Sequence, residues 1–273
     1  MPPGHQDPWY YRYHDVMPFH IREILLVASS YDTLILEEHG GLNERLFDLR
    51  QELELSTPIR ITLARTGSQA MGLLRERPFD LVISMVRLED MDANAFGRLV
   101  KAHDPRMPVA LLAFSEAGIA QLSGGVDRTA IDMPFLWTGD IRLLMSMVKL
   151  TEDRLNVAHD TEKADVRVIL VVEDDVRHYS SIVSLLYAEM IPRSHSLIVD
   201  GLDELPRRMV MRSRPKILLA RSFEEATAYF ERFHEYVLAV ISDMRFPKGG
   251  VQQPRAGADL VRRIHRERRD VPI

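Results

Sequence analysis

Val237-Leu238-Ala239-Val240-Ile241-Ser242-Asp243-Met244-Arg245-Phe246-Pro247 is an apolar run that stops abruptly at a carboxylate. Short β-branched runs of this kind predict strands buried on both faces, as in parallel sheets. A second run, Ile169-Leu170-Val171-Val172, stops at Glu173-Asp174-Asp175. Two buried strands therefore deliver acids at their C-terminal ends, and in an open parallel sheet that edge is where ligands sit. Carboxylates meeting there repel one another unless a hard cation joins them, and Mg²⁺ prefers such oxygen ligands. An aspartate held beside Mg²⁺ is a candidate acceptor for a phosphoryl group.

The same pattern occurs twice in the chain. Ile24-Leu25-Leu26-Val27-Ala28-Ser29-Ser30 parallels Ile169 to Asp175. Ile61-Thr62-Leu63-Ala64-Arg65-Thr66 parallels Ile217-Leu218-Leu219-Ala220-Arg221-Ser222, and each is followed by an alanine, Ala70 or Ala226. Val82-Ile83-Ser84-Met85 parallels Val240 to Asp243, and Leu99-Val100 before Pro108-Val109 parallels Leu260-Val261 before Pro272-Ile273. Chance similarity of apolar strands explains one such pair but explains four in the same order poorly. The chain reads as two copies of one domain.

In copy one, strands are predicted at 23–28, 59–64, 80–85, 108–113 and 132–137, with helical patterns between them. One pattern runs from Leu34 through Leu53, and another holds Phe96, Leu99 and Val100. Ile141, Leu143, Leu144, Met147, Val148 and Leu150 repeat at helical spacing after Gly139-Asp140 and close the domain. Five βα units with right-handed crossovers give an α/β, doubly wound, parallel five-stranded sheet. Copy two repeats the plan from Val168, with a first helix from about Val176 to Met190. An extra short helix is expected around Leu202, Leu205 and Met209, and a third helix holds Leu260, Val261 and Ile264.

Copy two stops at Val271-Pro272-Ile273, where copy one begins its fourth strand, so it is truncated after its third βα unit. A half-built sheet exposes an apolar edge, which natural proteins avoid. The expectation is that these 273 residues belong to a longer polypeptide, with a partner chain completing the sheet as the alternative. The expected division is an N-terminal extension over 1–19, a first domain over 20–156, a polar linker over 157–166 and an incomplete second domain over 167–273.

Composition excludes several classes. With 46% hydrophobic and 27% charged residues the chain suits one or two globular domains. A net charge of -5 without long runs of one sign gives no support for nucleic-acid binding. Cysteine is absent, which removes disulfides, zinc-thiolate sites and cysteine nucleophiles and is compatible with a cytoplasmic location. No apolar stretch reaches the ~18 residues of a membrane span. The aromatic cluster Trp9, Tyr10, Tyr11 and Tyr13 reads as packing on its own domain, and the arginines of 262–269 as a solvated helix face.

Copy two resembles the receiver domain of response regulators in two-component signal transduction. The residues that carry the resemblance are Ile169 to Asp175, with the acidic pair Glu173 and Asp174, and Val240 to Pro247, with Asp243 at the phosphoacceptor position and Pro247 four residues on. The resemblance implies a flavodoxin-like fold and Mg²⁺-dependent phosphorylation by a histidine kinase or a small phosphodonor. It further implies that Asp174 and Asp243 ligate Mg²⁺ directly, Glu173 through water, and Arg245 through its backbone carbonyl. Asp175 reads instead as a helix N-cap. Phosphoryl transfer is mostly positioning and charge neutralisation, so a metal flanked by carboxylates is a sufficient core. The acyl phosphate formed on Asp243 would then reorganise nearby loops.

Copy one departs from that pattern at each chemical position. Ala28 and Ser29 replace the acids, Met85 the phosphoacceptor and Ala113 the hydroxyl residue, and Leu136-Trp137-Thr138 lacks the lysine. It is expected to be a pseudo-receiver that works through surfaces, with Ser84 and Ser115 as weak alternatives. The 191–215 connection, Arg212 to Ala220 and Ile241 to Pro247 resemble receivers that precede phosphoenolpyruvate-synthase-like and pyruvate-phosphate-dikinase-like enzymes. That implies a downstream output domain or enzyme module. The leading expectation is a phosphoaccepting signalling domain rather than a turnover enzyme, with a homodimer as a possible assembly. The alternatives are a non-catalytic platform attached to a phosphoenolpyruvate-utilising enzyme, and a Mg²⁺ phosphohydrolase using an aspartyl nucleophile after the first strand. Glu173 and Asp175 have the spacing for the last, but Glu173 is the wrong residue for its nucleophile.

Overall fold

The computed structural model describes residues 16–37, 44, 59–196 and 214–273, with backbone alone over 192–196. The cluster Trp9 to Tyr13, the short helix expected around Leu202 to Met209 and most of the helix expected to reach Leu53 lie outside the described residues.

β1 (Glu23–Val27), β2 (Arg60–Ala64), β3 (Leu81–Met85), β4 (Val109–Ala113) and β5 (Met133–Leu136) form a parallel sheet in the order β2-β1-β3-β4-β5. This is the flavodoxin-like doubly wound order. Every residue of β3 and β4 is buried, which is why their sequences are apolar apart from Ser84. The helices are α1 (Ser30–Glu37), α2 (Gly67–Glu76), α3 (Ala93–His103), α4 (Glu116–Ala120) and α5 (Arg142–Ala164). Asp92 caps α3 by accepting from the Ala95 N–H, and Asp140 accepts from the Arg142 N–H where α5 begins.

A second unit is built on β6 (Val168–Val172), β7 (Lys216–Ala220) and β8 (Val237–Ser242), parallel and in the order β7-β6-β8. This repeats the β2-β1-β3 order of the first sheet. α6 (Val176–Ser196), α7 (Phe223–Phe233) and α8 (Ala256–Glu267) complete it with a hairpin, β9 (Phe246–Lys248) and β10 (Val251–Gln253). Leu170, Val172, Leu218 and Ala220 of the sheet pack with Phe230 of α7 and with Leu260 and Ile264 of α8.

The repeat extends to individual hydrogen bonds. The Ala28 N–H donates to the Ala64 carbonyl at 2.9 Å, and the Glu173 N–H to the Ala220 carbonyl at 3.0 Å. Thr66 caps α2 while Gln69 returns a bond to the Arg65 N–H, and Ser222 caps α7 while Glu225 returns one to the Arg221 N–H. Each is a variant of the capping box in which the returned bond goes to the N–H just before the cap residue. The Val82 N–H donates to the Pro108 carbonyl at 3.0 Å, and the Val240 N–H to the Pro272 carbonyl at 2.9 Å. In both units, then, a proline carbonyl meets the third strand in the same way. On β8, Leu238 and Ile241 remain exposed.

The expected linker over 157–166 requires correction. Residues 157–164 continue α5, and from Lys149 onward that helix belongs to the second unit. Val157 joins the core of this unit, and Asp153, Asn156 and Asp160 are fully buried. Asn156 bonds both the N–H and the carbonyl of Phe19, and Asp160 accepts from the Met17 N–H at 2.8 Å. Asp153 and Asp160 are buried because each finds a partner on another element, Arg214 and Lys216, a condition that a local pattern of polar residues does not display, while Glu162, Lys163 and Asp165 stay exposed. The β9–β10 hairpin was also unanticipated. Its two-residue turn is Gly249-Gly250, with φ of 64° and 77°. Glycine adopts positive φ without strain, and tight hairpin turns demand it.

Candidate functional site

Two backbone bonds assemble the acids. β6 and β8 are neighbours, so their C-terminal ends lie side by side. The Glu173 N–H reaches the Ala220 carbonyl, and the Asp243 N–H donates to the Val172 carbonyl at 2.9 Å. Carboxylate oxygens of Glu173, Asp174 and Asp243 then lie within 4.8 Å of one another, the only such group of three acids or histidines among the described residues. Glu173 is 6% exposed and Asp174 half-buried, while Asp243 remains open to solvent on the rim. Arg245 lies in the loop from β8 to β9, two residues past Asp243, and Pro247 lies in β9. Asp175 stays out of the cluster and caps α6, accepting from the N–H groups of Arg177 and His178.

Burial raises the Glu173 carboxyl above the usual carboxylate range, and the Asp243 charge adds to it, against a bond from the Asp175 N–H. Burial likewise raises Asp174, with Asp175 and Asp243 adding repulsion and Gln252 opposing. Such a set is costly to ionise without a cation, and its hard oxygen donors fit Mg²⁺. Glu173→Gln keeps the oxygen that accepts from the Asp175 N–H and removes the charge. In metal-free protein it is expected to raise stability at neutral pH by on the order of 1 kcal/mol. A raised folded-state pKa means that the ionised acid destabilises the fold, so this gain is full above that pKa and fades as the pH falls through it. Urea titrations with EDTA at neutral pH and at about pH 4 check this. A variant less stable than wild type at neutral pH would contradict it.

The first unit has the same backbone frame without the acids. Ala28 takes the place of Glu173, Ser29 that of Asp174 and Met85 that of Asp243. Met85 is buried, and Ser84 donates to the Met85 carbonyl just as Ser242 donates to the Asp243 carbonyl. Ser29 donates to Asp32 and accepts from its N–H, and Ser115 caps α4, so both hydroxyls serve at helix starts.

Two residues at the acidic site escaped sequence reasoning. Gln252 on β10 donates from Nε2 to Asp174 Oδ2. Gly257 in the first turn of α8 lies against the backbone of Asp243 and Met244. A glycine opening an amphipathic helix just after a strand-end acid was the available signal for the second; nothing local marks the first.

No family model matches the chain. Over 52 residues it is 42% identical to the transcriptional regulatory protein ZraR of Escherichia coli O157:H7, covering 19% of this chain and 12% of that one. Over 68 residues it is 37% identical to the protein of that name from Salmonella typhimurium strain LT2, covering 24% of this chain and 15% of that one. The matched stretches thus span only 12–15% of these relatives. Similar solved structures include the signal receiver domain of an HD domain-containing protein from Pseudomonas fluorescens Pf-5, at 23% identity, 54% and 94% coverage of the two chains and a TM-score of 0.33. Another is the receiver domain of the sensor histidine kinase PA1611 from Pseudomonas aeruginosa PAO1, with magnesium coordinated in its active-site cleft, at 18% identity, 47% and 94% coverage and a TM-score of 0.35. Among the described residues no helix is long and apolar enough to cross a membrane.

Proposed function

We propose that the second unit is a phosphoaccepting receiver of a two-component response regulator, acting in the cytoplasm, and that the first unit is a non-phosphorylatable interaction module. The observation that carries this reading is the convergence of Glu173, Asp174 and Asp243 at the C-terminal edge of adjacent parallel strands. Asp174 and Asp243, with the Arg245 carbonyl, would hold Mg²⁺, and Glu173 would orient its water. When bound, the ion would neutralise the phosphoryl oxygens and the acids around them.

The chain's own residues supply the rest. An oxygen of the Asp243 carboxylate attacks phosphorus, and the bond from phosphorus to the donor breaks with its electron pair leaving on the donor. For a phosphohistidine that donor is an imidazole nitrogen, which takes up a proton; for acetyl phosphate it is acetate. The Met244 N–H holds Asp243 Oδ1 at 2.7 Å, which leaves the other oxygen free to attack. The product is an acyl phosphate whose added charge alters the loop after β8 and with it an output domain or enzyme module.

The test is intact mass of the full chain after acetyl phosphate with Mg²⁺. A hydroxylamine-labile phosphoryl adduct is expected on wild type and none on Asp243→Asn. An adduct that persists in Asp243→Asn and disappears in Asp174→Asn would move the nucleophile to the end of β6. No adduct on folded wild type that binds Mg²⁺ would replace this reading with an inert interaction platform.

A further inference from the structure

The connection from third strand to third helix differs between the units. In the first it is the loop 86–92 with one antiparallel bridge, Arg87 with Asp92. In the second it is the β9–β10 hairpin, which is held at its turn end by three contacts. Lys248 pairs with Asp259 of α8, its ammonium lies 4.5 Å over the ring of Phe223, and the Gly249 N–H donates to Glu224 Oε1 at 2.8 Å. Phe246 anchors the base from within the core. From the opposite strand of this fixed hairpin, Gln252 reaches across to Asp174 and donates its amide N–H to Oδ2.

Resting on the reading that Glu173, Asp174 and Asp243 hold a divalent cation, we infer that Gln252 is a positioning residue that latches Asp174 and competes with the metal for it. An ionised carboxylate only accepts, so the amide must face it with N–H, the positive end of its dipole. A cation at the same carboxylate repels that N–H. Because the bond occupies Oδ2, a cation that takes this oxygen requires the Gln252 side chain to swing away or to turn its carbonyl inward. The hairpin backbone is pinned by Lys248, Gly249 and Phe246, so the side chain moves while the strand stays. The latch lowers the affinity of the site and keeps Asp174 ordered between loading events.

The experiment is Mn²⁺ binding to the full chain by electron paramagnetic resonance, with Mg²⁺ competition, for wild type, Gln252→Ala, Gln252→Met and Asp174→Asn. A typical net hydrogen bond, the level to which solvent exposure reduces this one, corresponds to a factor of roughly three to ten. Both Gln252 variants are expected to bind Mn²⁺ and Mg²⁺ about three- to tenfold more tightly than wild type. A merely structural role would weaken binding on mutation, so the sign of the change separates the two. Equal or weaker affinity in both variants, with wild type binding normally, overturns the latch and leaves the metal site standing. Wild type that binds no Mn²⁺, or binding insensitive to Asp174→Asn, overturns the metal site and the latch with it.

Discussion

Asp153→Ala is expected to destabilise the second unit by about 3–5 kcal/mol, although residue 153 lies outside its sheet, on the helix that precedes it. The Asp153 side chain is fully buried on α5. Its two oxygens accept from both terminal nitrogens of Arg214 at 2.8 Å, from the Tyr187 hydroxyl at 2.8 Å and from the Ile217 N–H at 2.9 Å. The last bond satisfies a backbone donor on the outer edge of β7, which among the described residues pairs only with β6. Burial and the Asp153 charge push the Tyr187 phenol well above its ordinary pKa, so it donates as a neutral hydroxyl. Truncation leaves a buried guanidinium, a buried hydroxyl and a buried N–H without this acceptor, and an uncompensated buried charge dominates the loss. Beside it, Lys216 pairs with Asp160 at 2.9 Å, both side chains fully buried, which spreads the network over α5, α6 and β7. Joint replacement by Asp153→Leu and Arg214→Met removes charge and counter-charge together and is expected to cost less than Asp153→Ala alone. Amide exchange in β6 and β7 under EDTA measures both. A loss under about 1 kcal/mol for Asp153→Ala would show that the network is not what holds α5 to the edge.

That network also shows where sequence reading stops. The five strands of the first sheet each lie within one residue of their predicted limits; for β1, β3, β4 and β5 this is because largely buried strands are mostly apolar runs with sharp ends, whereas the edge strand β2 is only partly buried. The acids were legible by position alone: Asp174 and Asp243 each follow a run that ends at a strand terminus. Their convergence depends on β6 lying beside β8, and the repeat carried that adjacency from one unit to the other. The linker expected over 157–166 was misread because Asp160 looks solvated until Lys216, more than fifty residues later, is placed against it, and the first domain was extended to 156 because Asp153 likewise shows no sign of its partner Arg214. The hairpin was missed because Gly249-Gly250 is flanked by three-residue strands too short and polar to show alternation. Gln252 carries no local sign of its role, since only the fold brings β10 to Asp174.

Gly257→Ala is expected to slow adduct formation from acetyl phosphate about 100-fold while leaving the chain folded. A Cβ at this position would lie 2.4 Å from the Asp243 carbonyl oxygen and 2.9 Å from the Met244 Cα. Both are backbone atoms, so no side chain can swing aside to make room. Either the first turn of α8 retreats or the Asp243–Met244 segment does, and the Gly257 N–H bond to the Met244 carbonyl at 3.1 Å ties the two together. Overpacking of this kind costs about 1–3 kcal/mol, partly offset by up to about 1 kcal/mol from alanine's better helix propensity. The fold survives that sum, but the site does not absorb it equally well. The Met244 N–H that fixes Asp243 Oδ1 moves with the segment, so the attacking carboxylate loses its alignment even where its charge is intact. A displacement approaching 1 Å in a transfer governed by positioning gives the expected rate loss. Gly72→Ala is the matched control, since nothing lies within 4 Å of a Cβ on that helical glycine, and it is expected to leave the rate unchanged. A Gly257→Ala variant that forms adduct as fast as wild type would mean that the backbone beside Asp243 is free to yield, and that its close seating against α8 does not set the geometry of the acceptor.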